Sequence, residues 1–115
     1  MTATPLEVVQ RQLDCYNRRD LDGFCACFSE DVGLYEWGAT TPNYSGQAAL
    51  RERYRHLFEH SPALNCQLAN RTALGRVVVD HERITGRMGA PEVLEILAIY
   101  EVDDGLIRSI HFVRT

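Results

Sequence analysis

EVLEILAIYEVDDGLIRSIHFVR, residues Glu92–Arg114, is the stretch that decides the fold of this 115-residue chain. Two apolar runs flank Asp103-Asp104-Gly105, a turn sequence. The segment therefore reads as an antiparallel hairpin, with a long strand over Glu92–Val102 and a last strand over Leu106–Arg114. Leu94, Ile96, Ala98, Tyr100 and Val102 fall on one side of the long strand, as a face turned to a core requires. Glu95 and Glu101 fall on the other side, with Val93, Leu97 and Ile99. Pairing of Glu101 with Arg108 across the hairpin turns Ile107, Ser109, His111 and Val113 inward on the last strand. The outer face then shows Leu97, Ile99, Ile110 and Phe112, an apolar surface that suggests a homodimer through the sheet.

Upstream, the pattern changes period. Thr4, Pro5 and Glu7 form the start signal of a helix, and Leu6, Val9, Leu13 and Tyr16 follow at helical spacing. Asp20 caps a second, short helix with Leu21, Phe24, Cys25 and Phe28 on one face, closed by Ser29-Glu30-Asp31. Val32–Trp37 reads as a short strand and Gly38–Gly46 as a loop. Ser45 caps a third helix carrying Leu50, Tyr54, Leu57 and Phe58, which stops before Ser61-Pro62. Everything after Pro62 reads as strand. Leu64, Cys66 and Leu68 alternate, Gly75-Arg76 turns the chain into Val77-Val78-Val79, and Gly86–Pro91 is a second turn. Helices followed by a four-strand meander, with one early strand, make an α+β domain with the helices on one sheet face.

Composition narrows the function classes. Hydrophobic residues make up 45% of the chain, as in a globular core-forming protein, and no apolar run approaches a membrane span. The N-terminus has no basic and apolar leader, so a cytoplasmic location is expected. A net charge of −4 speaks against nucleic acid. Arg51, Arg53 and Arg55 are interleaved with glutamates and read as a solvated helix face. Cys15, Cys25, Cys27 and Cys66 contain no CxxC pair and read as small buried residues in a reducing compartment. There is no metal-binding spacing such as HExxH, and His56 and His60, though at i, i+4, have no third ligand. No Gly-rich phosphate loop points to a nucleotide cofactor.

Four groups carry the chemistry on offer. Glu36 sits between Tyr35 and Trp37 in an apolar strand, where desolvation would raise it toward the range of a general base. His111 faces inward in the hairpin pairing above and can give or take a proton near neutral pH. Asp80, His81, Glu82 and Arg83 form a dense polar run inside a strand. Alternation sends either Asp80 and Glu82 or His81 and Arg83 to the interior. Tyr16, Tyr54, Tyr100 and Trp37 can wall an aromatic cavity for a ring-shaped ligand.

The runs Tyr16–Phe24 (YNRRDLDGF) and Phe28–Val32 (FSEDV), the entry Ser45–Leu50 (SGQAAL) and the hairpin Ile99–Ile107 (IYEVDDGLI) together resemble a SnoaL-like domain. Such domains belong to the superfamily of nuclear transport factor 2 and ketosteroid isomerase. The resemblance covers nearly all of residues 1–115. It implies a cone-shaped α+β fold, a cystatin-like roll often found as a dimer, which hosts isomerases, cyclases, hydrolases, dehydratases and non-catalytic binders. Carried over from the steroid isomerases, the base falls on Glu36. The tyrosine donor falls on Gln12, with Tyr16 one turn later, and the acid donor on Ala98 or Leu97, which cannot donate. The resulting expectation is a pocket protein for a small hydrophobic ketone, working by cofactor-independent acid/base catalysis. Glu36 would be the base, His111 or His81 a second proton carrier, and Tyr16 with Gln12 the oxygen donors. Trp37, Tyr54, Arg83 and Tyr100 would contact the ligand. The rivals are a non-catalytic binder and a dimeric interaction module.

Overall fold

A computed structural model describes residues 2–115. Helix α1 (Pro5–Arg18) starts at its capping box: the Thr4 hydroxyl accepts the Glu7 N–H at 3.2 Å, and the Glu7 carboxylate accepts the Thr4 N–H at 2.8 Å. Arg19 then ends the helix in a left-handed conformation. Asp20 caps α2 (Leu21–Cys25), which is shorter than the apolar spacing suggests. Phe28 leaves the helix and opens strand β1 (Phe28–Glu36), pairing with Ile107. The Gln47 amide donates to the carbonyls of Cys25 and Phe28, both at 2.9 Å, and so bridges the break.

After β1, Tyr44 and Ser45 form a two-residue strand, β2, against Leu34 and Gly33. Helix α3 (Gln47–Glu59) therefore begins one residue late. Its N-cap is Gly46, with φ of 89° and no side-chain cap, rather than Ser45. That backbone region is open to glycine and strained for other residues. Strands β3 (Asn65–Leu74), β4 (Val77–Thr85), β5 (Leu94–Asp103) and β6 (Leu106–Arg114) form the expected meander. A short 3-10 turn, Arg87–Gly89, joins β4 to β5.

The six strands make one mixed, open sheet in the order β2-β1-β6-β5-β4-β3. All neighbours are antiparallel except β1 and β6, which run parallel. The helices pack on one face. Val8, Val9 and Leu13 of α1, Phe24 of α2, and Leu50 and Phe58 of α3 meet Val32, Val78, Ala98, Val102 and Ile107 of the sheet. Leu6, in line with the α1 stripe, stays exposed one turn before the core begins. All four cysteines are buried and unbridged.

The inward face of β5 is as the alternation predicts, with Ile96, Ala98, Tyr100 and Val102 buried. That of β6 is not. Glu101 pairs with Ser109 and Val102 with Ile107, so Arg108 is an extra residue in the hairpin. Its guanidinium bonds Asp103 at 2.8 Å rather than Glu101, which meets Arg76 instead. The bulge resets the side-chain phase. Ile107 faces in before it and Ile110 and Phe112 after it, while Ser109, His111 and Val113 face out. The outer sheet face thus loses Ile110 and Phe112 from its expected apolar set.

Candidate active site

Between α1, α3 and the sheet lies a cavity of about 360 Å³, near the small end for ligand sites. Leu13, Leu34, Leu57, Ile84, Ile96 and Ile110 supply its apolar wall. β4 contributes the one carboxylate buried in that wall, Glu82, which is 4% exposed. The Tyr100 hydroxyl approaches Glu82 Oε2 at 3.5 Å, and Gln12 Nε2 donates to the Tyr100 oxygen at 3.4 Å and to the Val9 carbonyl at 3.2 Å. Burial and the neighbouring Asp80 charge push the Glu82 carboxyl up to about 7, against the smaller opposing pull of the Cys66 thiol, Arg71 and Tyr100.

Asp80, two residues back on the same face, is fully buried and differently served. Arg71 of β3 grips both its oxygens, at 2.7 and 2.9 Å, and reaches Gln10 of α1 at 2.7 Å. Arg71, the one cation acting on Glu82 among the described residues, is therefore already committed. Of its lining residues, Glu36, Asn43, Tyr44, Arg53, Arg87 and Arg114 are exposed or half-buried and mark where the cavity meets solvent. Arg114 Nε binds both oxygens of Glu36, at 3.0 and 3.2 Å, and its guanidinium lies over the Phe112 ring.

A family model described as "SnoaL-like domain" matches residues 9–110. The chain belongs to the SnoaL-like family. No curated protein matches its sequence. Solved structures match its fold closely. A cystatin-fold protein from Novosphingobium aromaticivorans superposes with a TM-score of 0.88 at 19% identity, over 97% of this chain and 99% of that one. A protein with a ketosteroid isomerase-like fold from Catenulispora acidiphila, solved with trimethylamine, gives 0.76 at 14% identity, over 96% and 85%. An epoxide hydrolase of the LEH-like type from M. tuberculosis gives 0.76 at 17% identity, over 96% and 82%. At these identities the shared property is the fold.

This SnoaL-like domain brings together part of the residue set expected from sequence. Gln12, Tyr16, Glu36, Tyr54 and Tyr100 all line the cavity. Tyr16 packs edge-on against Phe58, ring centroids 5.7 Å apart, and burial pushes its hydroxyl well above the usual phenol range. Glu36 is at the rim, its side chain 43% exposed and tied to Arg114. Trp37 does not line the cavity: it lies past the end of β1 and is 66% exposed. His81 and Arg83 face the outer side of the sheet, where both bond Glu95 at 3.0 and 3.3 Å. His111 is also outside, stacked on Tyr35 at 4.5 Å and 9°, so it shares no cavity with Glu36.

Glu82 was half visible in the sequence, as one member of an undecided alternation. The deciding signal is Arg71 on the neighbouring strand, since a buried Asp80 needs a cation opposite it, and that fixes Glu82 inside as well. Arg53 and Arg87 gave no signal, because nothing local distinguishes them from solvated arginines.

Proposed function

We propose that this SnoaL-like domain binds a small, largely apolar carbonyl compound and moves a proton on it without a cofactor, with Glu82 as the proton-transfer group. One observation carries the reading: a carboxyl poised at about 7 lines an apolar cavity and has no cation of its own. A base is most effective when its proton affinity matches the working pH. In the proposed step Glu82 takes a proton from the carbon beside the carbonyl, and the C–H electron pair moves to the carbonyl oxygen. Where the compound carries a β,γ double bond, returning the proton to the γ carbon shifts the double bond into conjugation and gives an isomer. Tyr16, kept protonated by its burial, is the donor to that oxygen. Glu36 stands outside this step, because its carboxylate sits half in solvent at the rim and is tied to Arg114.

The test is exchange of α-protons of small cyclic ketones for deuterium, followed by NMR. The wild-type protein is expected to exceed buffer, and Glu82→Gln to lose at least about 100-fold. Equal rates in the two proteins would end the reading.

A carrier without catalysis is the second reading. It is favoured by the absence, among the described residues, of any buried side-chain nitrogen or oxygen lacking a partner. Glu82, Tyr100 and Gln12 are thus bonded to one another, and none of the three is held open for a developing oxyanion. For a carrier, Glu82→Gln leaves ligand affinity unchanged and no exchange is seen.

A further inference from the structure

The chain has twelve arginines and no lysine, in a protein of net charge −4. Eight of them form ion pairs with carboxylates: Arg18, Arg51, Arg55, Arg71, Arg76, Arg83, Arg108 and Arg114. Arg19 donates to the Leu64 carbonyl at 3.0 Å. Among the described residues, Arg11, Arg53 and Arg87 have neither an ion pair nor a side-chain hydrogen bond. Two of these three, Arg53 and Arg87, line the cavity mouth. The single carboxylate there, Glu36, is spent on Arg114.

The guanidinium of Arg53 and the backbone that carries Arg87 are both held in place. Arg53 lies 4.8 Å from the centroid of the Tyr44 ring, a contact that holds a planar cation at the cavity edge. Arg87 opens the 3-10 turn after β4. That turn is pinned by the Met88 N–H, which donates at 2.8 Å to the hydroxyl of the fully buried Ser61. A guanidinium presents a fork of donors matched to a carboxylate or similar oxyanion. Positive charge around an apolar opening also raises the local concentration of anions.

We propose that the ligand is a small acid, an apolar body carrying one singly charged oxyanion group that Arg53 and Arg87 hold at the mouth. This rests on the cavity reading above and assigns the ligand's polarity. The charged end faces solvent, and the apolar body runs inward along Leu34 and Ile110 toward Glu82.

Two fluorescent probes test it: anilinonaphthalene sulfonate, and phenylnaphthylamine, which has the same rings without the sulfonate. Arg53 and Arg87 are exposed, so their glutamine variants should fold. The wild-type protein is expected to bind the sulfonate more tightly than the amine. Arg53→Gln with Arg87→Gln should weaken the sulfonate about tenfold and the amine by less than about twofold. Added salt should weaken the sulfonate alone. Binding is located by NMR, with amide shifts expected at Leu34, Cys66 and Ile110. If the double variant binds both probes as the wild type does while those amides still shift, the acid-binding proposal is wrong and the cavity stands. If neither probe shifts those amides, the cavity reading falls and takes this proposal with it.

Discussion

On β4, Asp80 and Glu82 point into the molecule, while His81 and Arg83, interleaved with them, point away from it. The outer pair shares one carboxylate, Glu95, on a surface where water screens every charge. The inner pair has one cation between two carboxylates, and Arg71 binds both oxygens of Asp80. Glu82 is left with dipoles: a phenol hydroxyl and a thiol. Four consecutive ionisable residues thus divide into a solvated cluster, a structural ion pair and a buried carboxyl with no cation of its own. The residue types do not decide this division. What decides it is how many partners burial leaves to each group.

The largest expected effect would break the inner half of this comparison. Arg71→Met removes the partner of a fully buried carboxylate and is expected to cost about 3–5 kcal/mol, read from urea unfolding at neutral pH. Glu95→Gln strips the outer pair of its shared anion and should leave the urea midpoint nearly where it was. Similar losses from the two substitutions would mean that burial does not separate the two faces. A partial rescue of Arg71→Met by Asp80→Asn, in the double variant, would place the cost on the orphaned charge.

The period-2 run of β5 and the capped periodicity of α1 were legible because each follows one local rule. β6 was not, because a single extra residue, Arg108, inverts everything after it. Its pairing with Asp103 rather than Glu101 is a choice between two carboxylates five and seven residues back, and alternation contains no information on it. The misplacement of His111, Ile110 and Phe112 follows from that one residue. The early start of β1 was hidden for a related reason: Phe28 fits the helical stripe, and pairing with Ile107, far along the chain, makes it strand instead. The site was readable where it is built from aromatics on α1, α3 and β5. It was unreadable where it depends on which arginine lacks a partner.

The next effect sharpens the inner side. Glu82 titrates near 4.5 in an unfolded chain and at about 7 in the fold. Between those values the folded protein holds a proton that the unfolded chain has released, so stability falls as pH rises. The loss begins above pH 4.5 and is complete once pH passes 7, and it totals about 3 kcal/mol. Glu82→Gln lacks this slope. The variant should therefore gain on the wild type steadily from pH 5 to pH 8, in urea titrations at each pH. Parallel stability curves for the two proteins would show that Glu82 is not raised. The same group makes a kinetic forecast: exchange should climb with pH through about 7, as the carboxylate form becomes populated.

The smallest effect belongs to the outer face. His111 stacks on Tyr35 at 4.5 Å in a nearly parallel arrangement, and it pairs in register with that residue across the parallel β1–β6 ladder. Phenylalanine keeps the stacking area and removes the only titratable part of the side chain. His111→Phe is accordingly expected to stay within about 0.5 kcal/mol of the wild type, with probe affinity and deuterium exchange unchanged. A histidine that took part in the proton transfer would instead lose exchange while folding normally, so a fall in rate at constant stability would move the chemistry to the wrong side of the sheet. Because Glu36 and Phe112 follow Tyr35 and His111 in the same ladder and face the cavity, the outcome also checks the phase set by Arg108. A one-residue slip there would put His111 inside and make this variant the most damaging of the set.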